Sequence, residues 1–134
     1  MSDFQFQGLT FKDVKKTIKS PVAASVRKSS TRYVNFRIDA GTAKICKFSA
    51  NELLTPFVDV KNRAVLLLAG QRPVPASARK LLAKDKGRAM DIDFPRVEGL
   101  ADLFPKDFGL HGMDVCEQLP GRLMFVVPAK ALER

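Results

Sequence analysis

Histidine occurs once in this chain, as His111, cysteine twice, as Cys46 and Cys116, and tryptophan not at all. One histidine and two distant cysteines give no zinc-ligand spacing, no Ser-His-Asp set and no Cys-His pair, and no glycine-rich phosphate loop stands elsewhere. His111 lies in the tight stretch Gly109-Leu110-His111-Gly112 without an obvious partner and reads as structural. Asp91 and Asp93 stand two apart on one strand face and could meet a cation, but nothing nearby completes a ligand set. Their simpler reading is a solvated strand face. These absences weigh against an enzyme, so no catalytic residue, metal or cofactor is expected. Each cysteine sits among apolar residues, and both read as small buried thiols in a reducing cytoplasm. The longest apolar run, residues 64–69, is too short to cross a bilayer, so no membrane partner is expected. Phe4 and Phe6 are not part of a basic region followed by an apolar core, so a signal peptide is not expected either.

Acidic residues are scarce relative to basic ones, and unevenly so. The net charge is +9 over 134 residues. Residues 12–47 hold ten Lys or Arg against Asp13 and Asp39, residues 72–88 hold six against Asp85, and residues 89–134 hold five against eight acids. A basic N-terminal half beside an acidic C-terminal half implies a surface with one positive side, which attracts polyanions, nucleic acid first. Solvated Lys and Arg kept for solubility are the plainer alternative. A hydrophobic content of 46% is normal for a globular protein and too high for a disordered one.

The chain near its C-terminus reads as a β-hairpin, with arms at 115–119 and 123–127. Pro120-Gly121 suits a type II turn, although two-residue hairpin loops favour primed turns, which points to a longer loop. The second arm is apolar almost throughout, so both its faces should be covered. From the N-terminus, Thr10 can cap a short basic helix whose Phe11, Val14 and Ile18 share a face, ended by Ser20-Pro21. Residues 21–31 read as a small, polar linker or arm. Residues 32–39 alternate as a half-buried strand, with Val34, Phe36 and Ile38 inward. Residues 43–48 can form a short strand, and Ser49-Ala50-Asn51-Glu52 matches a capping box opening a helix over about 50–54. Residues 57–60 and 64–68 flank a polar turn as a first hairpin. Residues 76–86 have helical composition, closed by Gly87. Residues 88–95 alternate again, and 97–104 predict a short helix with Leu100, Leu103 and Phe104 inward.

Strand, short Leu-bearing helix and hairpin therefore occur twice. A unit of this size seldom closes its own core, whereas two copies can close it together. The sequence thus predicts a mainly β chain with short helices (α+β): a small β-barrel of two β-α-β-β repeats with an N-terminal basic arm or helix. Its parts are the arm (1–31), repeat one (32–70), a basic linker or helix (71–87) and repeat two (88–134), with 32–134 one compact domain.

The second copy carries a set of short motifs: Gly87-Arg88, Ile92 with Pro95, residues 100–104, Phe108-Gly109-Leu110, Gly112 with Asp114 and Val115, then Gly121-Arg122-Leu123. In this it resembles the swapped-hairpin DNA-binding family of AbrB and SpoVT type. The resemblance covers about residues 87–128, and only the order of elements in 32–69. It departs where Asp114 comes one residue late and where the first copy lacks the Gly-Asp step. In that family two copies from two chains interleave into a small barrel, and basic residues on one face grip DNA. The resemblance implies a single-chain pseudo-dimer that binds DNA, one half being free to diverge.

On this reading the chain is a DNA-binding protein, a transcriptional regulator holding phosphates through Lys12, Lys15, Lys16, Lys19, Arg27, Lys28, Arg32, Arg37, Arg79, Lys80, Lys84, Lys86 and Arg88. Arginine can also fork onto a guanine edge. Duplex is expected over single strands, and the acidic second half is left for a second copy or a protein partner. Two alternatives remain open. One is single-strand binding, with Tyr33 as the exposed-side aromatic of its strand, while most of the ten Phe fit core positions. The other is a protein-interaction or inhibitor module of viral or mobile-element origin.

Overall fold

A computed structural model describes residues 20–26 and 31–132. The expected N-terminal helix, with Lys12, Lys15, Lys16 and Lys19, lies outside the described residues, as do Arg27 and Lys28. The elements are β1 (Val22–Val26), β2 (Tyr33–Asp39), α1 (Ala40–Ile45), β3 (Leu53–Asp59), β4 (Ala64–Ala69), β5 (Arg79–Lys80), β6 (Leu82–Lys84), β7 (Ala89–Pro95), α2 (Gly99–Leu103), β8 (His111–Gly112), β9 (Asp114–Leu119) and β10 (Arg122–Val126). Short 3-10 turns occupy Asp85–Gly87 and Ala129–Leu132.

The strands form two five-stranded sheets, in the orders β6-β7-β2-β1-β8 and β5-β3-β4-β10-β9, with every ladder antiparallel. The described part of the chain is mainly β with two short helices, as the alternation predicts. It is not the expected closed barrel: among the described residues no ladder joins one sheet to the other. Closure needs a continuous round of paired strands. Here three of the four outer strands, β5, β6 and β8, are only two or three residues long.

The two sheets meet across one core. Val34, Phe36 and Ile38 of β2 are fully buried, with Val22, Ala24 and Val26 of β1 on the same face. The Phe36 ring is the hub. It lies 5.2 Å from Phe125 of β10, 5.5 Å from Phe104 and 5.9 Å from Phe94 of β7, in tilted or edge-on arrangements that suit ring quadrupoles. Phe104 follows α2, whose Leu100 and Leu103 are buried as the spacing predicts.

Four local expectations are corrected. The supposed arm at 21–31 contains β1, an interior strand of the first sheet. Its apolar Val22, Ala24 and Val26 alternate, and burial outweighs its small-residue composition. Residues 43–48 are not a strand. Asp39 ends β2 and caps α1, its Oδ1 accepting the Thr42 amide at 2.7 Å. The Ser49–Glu52 box opens no helix. Glu52 Oε1 accepts the Ser49 amide at 2.9 Å, but Leu54 and Thr55 are buried in β3 instead. Pro56 fits there because β5 pairs only with Leu53 and Leu54, leaving the amide side open beyond them. Residues 76–86 form β5 and β6 rather than a helix. Between them Leu81 is wholly buried, its amide donating to the Glu52 carbonyl at 2.9 Å and its carbonyl accepting from Asn51. One anchored leucine between two sheet edges outweighs helix propensity.

The second hairpin stands, with a two-residue loop rather than a longer one. Leu119 pairs with Arg122, and Gly121 has φ +76°, as a type II turn requires. The turn is held from below: the Gly121 amide donates to the Cys46 carbonyl at 2.7 Å, and the Cys46 thiol donates to the Arg122 carbonyl at 3.4 Å. Cys46 is fully buried as expected. Cys116 is exposed, contrary to expectation. Met124 pairs with Glu117 but Phe125 pairs with Val115, so Cys116 is the extra residue of a β-bulge that turns it to solvent.

Candidate nucleic-acid interface

The ladder between β2 and β7 runs from Asp39↔Ala89 to Tyr33↔Pro95. At the Tyr33 end the Arg96 amide donates to the Arg32 carbonyl at 2.6 Å, which carries the pairing one step further. The two chains then part, and Lys106, after α2, comes in beside them. Thr31, Arg32, Tyr33, Pro95, Arg96, Val97 and Lys106 line a cleft of ≈ 460 Å³. Three of these residues are cations and none carries a carboxylate. The Arg96 Nε is buried and has no hydrogen-bond partner. A buried donor of a charged group left without an acceptor is costly and rare, and an ion or water is the usual remedy. Like charges gathered in a recess raise the local potential for an anion.

The middle of the same ladder differs. Residues directly opposite share a face, so Arg37, Asn35, Asp91 and Asp93 lie together on the face away from Phe36, where Asn35 is buried. Arg37 Nε lies 3.3 Å from Asp91 Oδ1, and Asn35 Nδ2 donates to Asp93 Oδ1 at 2.9 Å. The Arg37–Asp91 contact is ionic rather than directional, since that oxygen takes part in no hydrogen bond. The field of Arg37 is thereby largely offset.

The other expected contacts are dispersed. Lys84 pairs opposite Ala89, and Lys86 and Arg88 follow at the β6–β7 turn, all at the Asp39 end of the ladder. Seven steps of strand separate that end from Arg32, roughly 23 Å. Arg79 and Lys80 form β5 on the edge of the other sheet. The Arg79 Nη1 is engaged by the Ala76 and Ala78 carbonyls at 2.8 and 2.9 Å. Arg79 also borders a second cleft of ≈ 530 Å³, together with Phe57, Glu98, Gly99, Pro95 and Val97. Of the expected residues within the described part, the first cleft gathers only Arg32. Arg96 and Lys106 were not expected. The signal for Arg96 was its place directly after the strand-ending Pro95, opposite the start of the first strand.

Two titration shifts lie away from the clefts. Burial pushes the Cys46 thiol up. The Asn62 side-chain and backbone amides, at 2.7 and 3.2 Å, hold Asp59 below its usual value at the β3–β4 turn. Among the described residues no three His, Cys, Asp or Glu side chains gather as a metal site, and no helix is long and apolar enough to cross a membrane. His111 is exposed in β8, its ring 5.3 Å from Phe108. No family model, curated protein or solved structure matches the chain.

Proposed function

We propose that this chain is a nucleic-acid-binding protein, DNA its first ligand, and that it holds backbone phosphate in the cleft of Arg32, Arg96 and Lys106. The buried, acceptor-free Arg96 Nε among three cations and no lining carboxylate carries the reading. A phosphate in the cleft offsets the convergent charge and gives Arg96 Nε an acceptor once the side chain turns toward it, and the net charge of +9 favours approach of any polyanion. A role in transcription control follows only from the family resemblance.

The scaffold we assign to it is a pair of related halves, residues 32–70 and 88–134. Several features support this. The orders β2-α1-β3-β4 and β7-α2-β9-β10 repeat, with only the two-residue β8 added in the second. Exchanging the two sets leaves the runs β7-β2 and β3-β4-β10-β9 unchanged. The residues at the centre of the two joining ladders, Phe36 with Ile92 and Leu66 with Met124, are separated by nearly the same length of chain. Each helix also meets the other half's hairpin: α1 through Cys46 on Gly121 and Arg122, and α2 through Gly99 on Val58 and Val60. That exchange is what two interleaved copies in one chain would produce.

Gel-shift or anisotropy measurements with DNA at low and raised salt test the function. Binding should appear at low salt and weaken as salt rises, and the combined variant R32Q/R96Q/K106Q should bind less and depend less on salt. No binding to any nucleic acid at low salt, or binding indifferent to salt, overturns the reading.

A further inference from the structure

We propose that the two clefts form one groove that takes a single strand, with bases stacked on Tyr33 and Phe57 and phosphate held by Arg32, Arg96 and Lys106. This rests on the nucleic-acid reading above and goes against the preference for duplex expected from the sequence.

Pro95 and Val97 line both clefts, so the recesses lie side by side at the end of β7. The described aromatic side chains divide cleanly. Phe36, Phe48, Phe94, Phe104, Phe108 and Phe125 are buried, whereas Tyr33 is 40% and Phe57 44% exposed. Those two exposed rings are the ones that border the groove, Tyr33 in the cationic cleft and Phe57 in the other. An exposed phenylalanine on a strand presents a flat apolar face that a stacked ring can cover. Every base offers such a face.

Shape points the same way. Recesses of ≈ 460 and ≈ 530 Å³ have the size of small-ligand pockets. Each admits a nucleotide unit, while a double helix shows its phosphates on a convex surface that the groove cannot enclose. Charge sets the direction of the chain's parts. The cleft with Tyr33 is wholly cationic and suits backbone phosphate, whereas the cleft with Phe57 carries Glu98 beside Arg79 and suits a base rather than a phosphate. Among the described residues, no comparable set of exposed aromatics and unopposed cations accompanies the outward face around Arg37 and Asp91.

Fluorescence anisotropy with a labelled oligothymidine of about twelve nucleotides, within the span a single small domain covers, and with a duplex of equal length tests the groove. The full chain should bind the oligothymidine more tightly than the duplex. Tyr33→Ala and Phe57→Ala should each weaken oligothymidine binding about tenfold, the loss of one stacked base. Leu82→Ala, which removes an exposed leucine on the outer strand β6, should leave it unchanged. Both ring positions are half-exposed, and the thermal unfolding of each variant confirms that the fold is kept. Tighter duplex binding, or oligothymidine binding unaffected by both ring truncations, overturns the groove while leaving the phosphate site intact. No binding by either probe at low salt overturns the phosphate site with it.

Discussion

The middle and the end of the β2–β7 ladder are built from similar residues and do different things. In the middle, Arg37 stands by Asp91 and Asn35 by Asp93, over a core centred on Phe36. At the end, Arg32, Arg96 and Lys106 converge with no lining carboxylate, beside a half-exposed Tyr33. The contrast teaches that pairing across a ladder, not the number of cations along the chain, decides where a positive field survives. It also separates two duties. On the function proposed above, the middle holds the molecule together and the end meets the ligand.

The sharpest test of that division is in the middle. Phe36→Ala empties a site touching three other rings and should cost about 3–5 kcal/mol of unfolding free energy. Chemical denaturation measures it. A loss below about 1 kcal/mol would mean that the sheets are held elsewhere. The reverse experiment belongs to the end. R32Q/R96Q/K106Q should keep or slightly raise stability, because three like charges no longer converge. The slope of log affinity against log salt should fall by about two for single strands. If the triple variant unfolds much more easily, the cations serve the fold, and the two duties are not separate.

Much of the ladder's middle was legible in the sequence and little of its end. Val34-Phe36-Ile38 and Met90-Ile92-Phe94 alternate so cleanly that both strands emerge within a residue or two of their true limits. The helix after Pro95 was legible from the spacing of Leu100, Leu103 and Phe104, and both hairpins from apolar runs flanking a turn. The segment between the first strand and the first hairpin was not. Its local motif at Ser49–Glu52 is half formed, yet the chain follows the burial of Leu54 and Thr55 into a strand. The cap that does open a helix, Asp39, was hidden as the last residue of a strand. The site failed for a related reason. Charge counted along the chain places Arg96 and Lys106 in an acidic half and so passes over them. Only the register that sets Pro95 against Tyr33 brings Arg96 to Arg32.

The two ends of β2 offer a further contrast, and alkaline pH reads it. Beyond Asp39 the strand is closed by α1, whose following residue Cys46 is fully buried against the tip of the second hairpin. Burial raises the folded-state pKa of the thiol above its ordinary 9.0, while the unfolded chain ionises at the ordinary value. The unfolded state therefore loses its proton first. The stability tied to a neutral Cys46 is complete below pH 9.0 and is lost as pH rises through the folded-state value. Cys46→Ala should remove this component, so the stability difference between the two proteins should shrink above pH 9.0. A thiol reagent applied to the native protein should label exposed Cys116 and spare Cys46. Equal labelling of both would mean that this end of the strand is open too.

The smallest effect is the most discriminating, because it asks whether Arg37 is silent for the reason given. Arg37 is 44% exposed at its side chain and Asp91 15%, and the 3.3 Å contact between them lacks hydrogen-bond geometry. A pair of this kind is worth at most about 1 kcal/mol and leaves the fold when broken. Arg37→Gln should therefore change DNA affinity by less than about twofold, a small fraction of the loss from neutralising the cleft. Asp91→Asn removes the acid and keeps the shape. If pairing is what silences the middle, this variant should bind DNA somewhat more tightly and steepen the salt dependence, by up to about one further phosphate contact. If instead Arg37→Gln weakens binding as much as Arg96→Gln does, the outward face of the sheet is itself the contact surface. The middle and the end would then be one site.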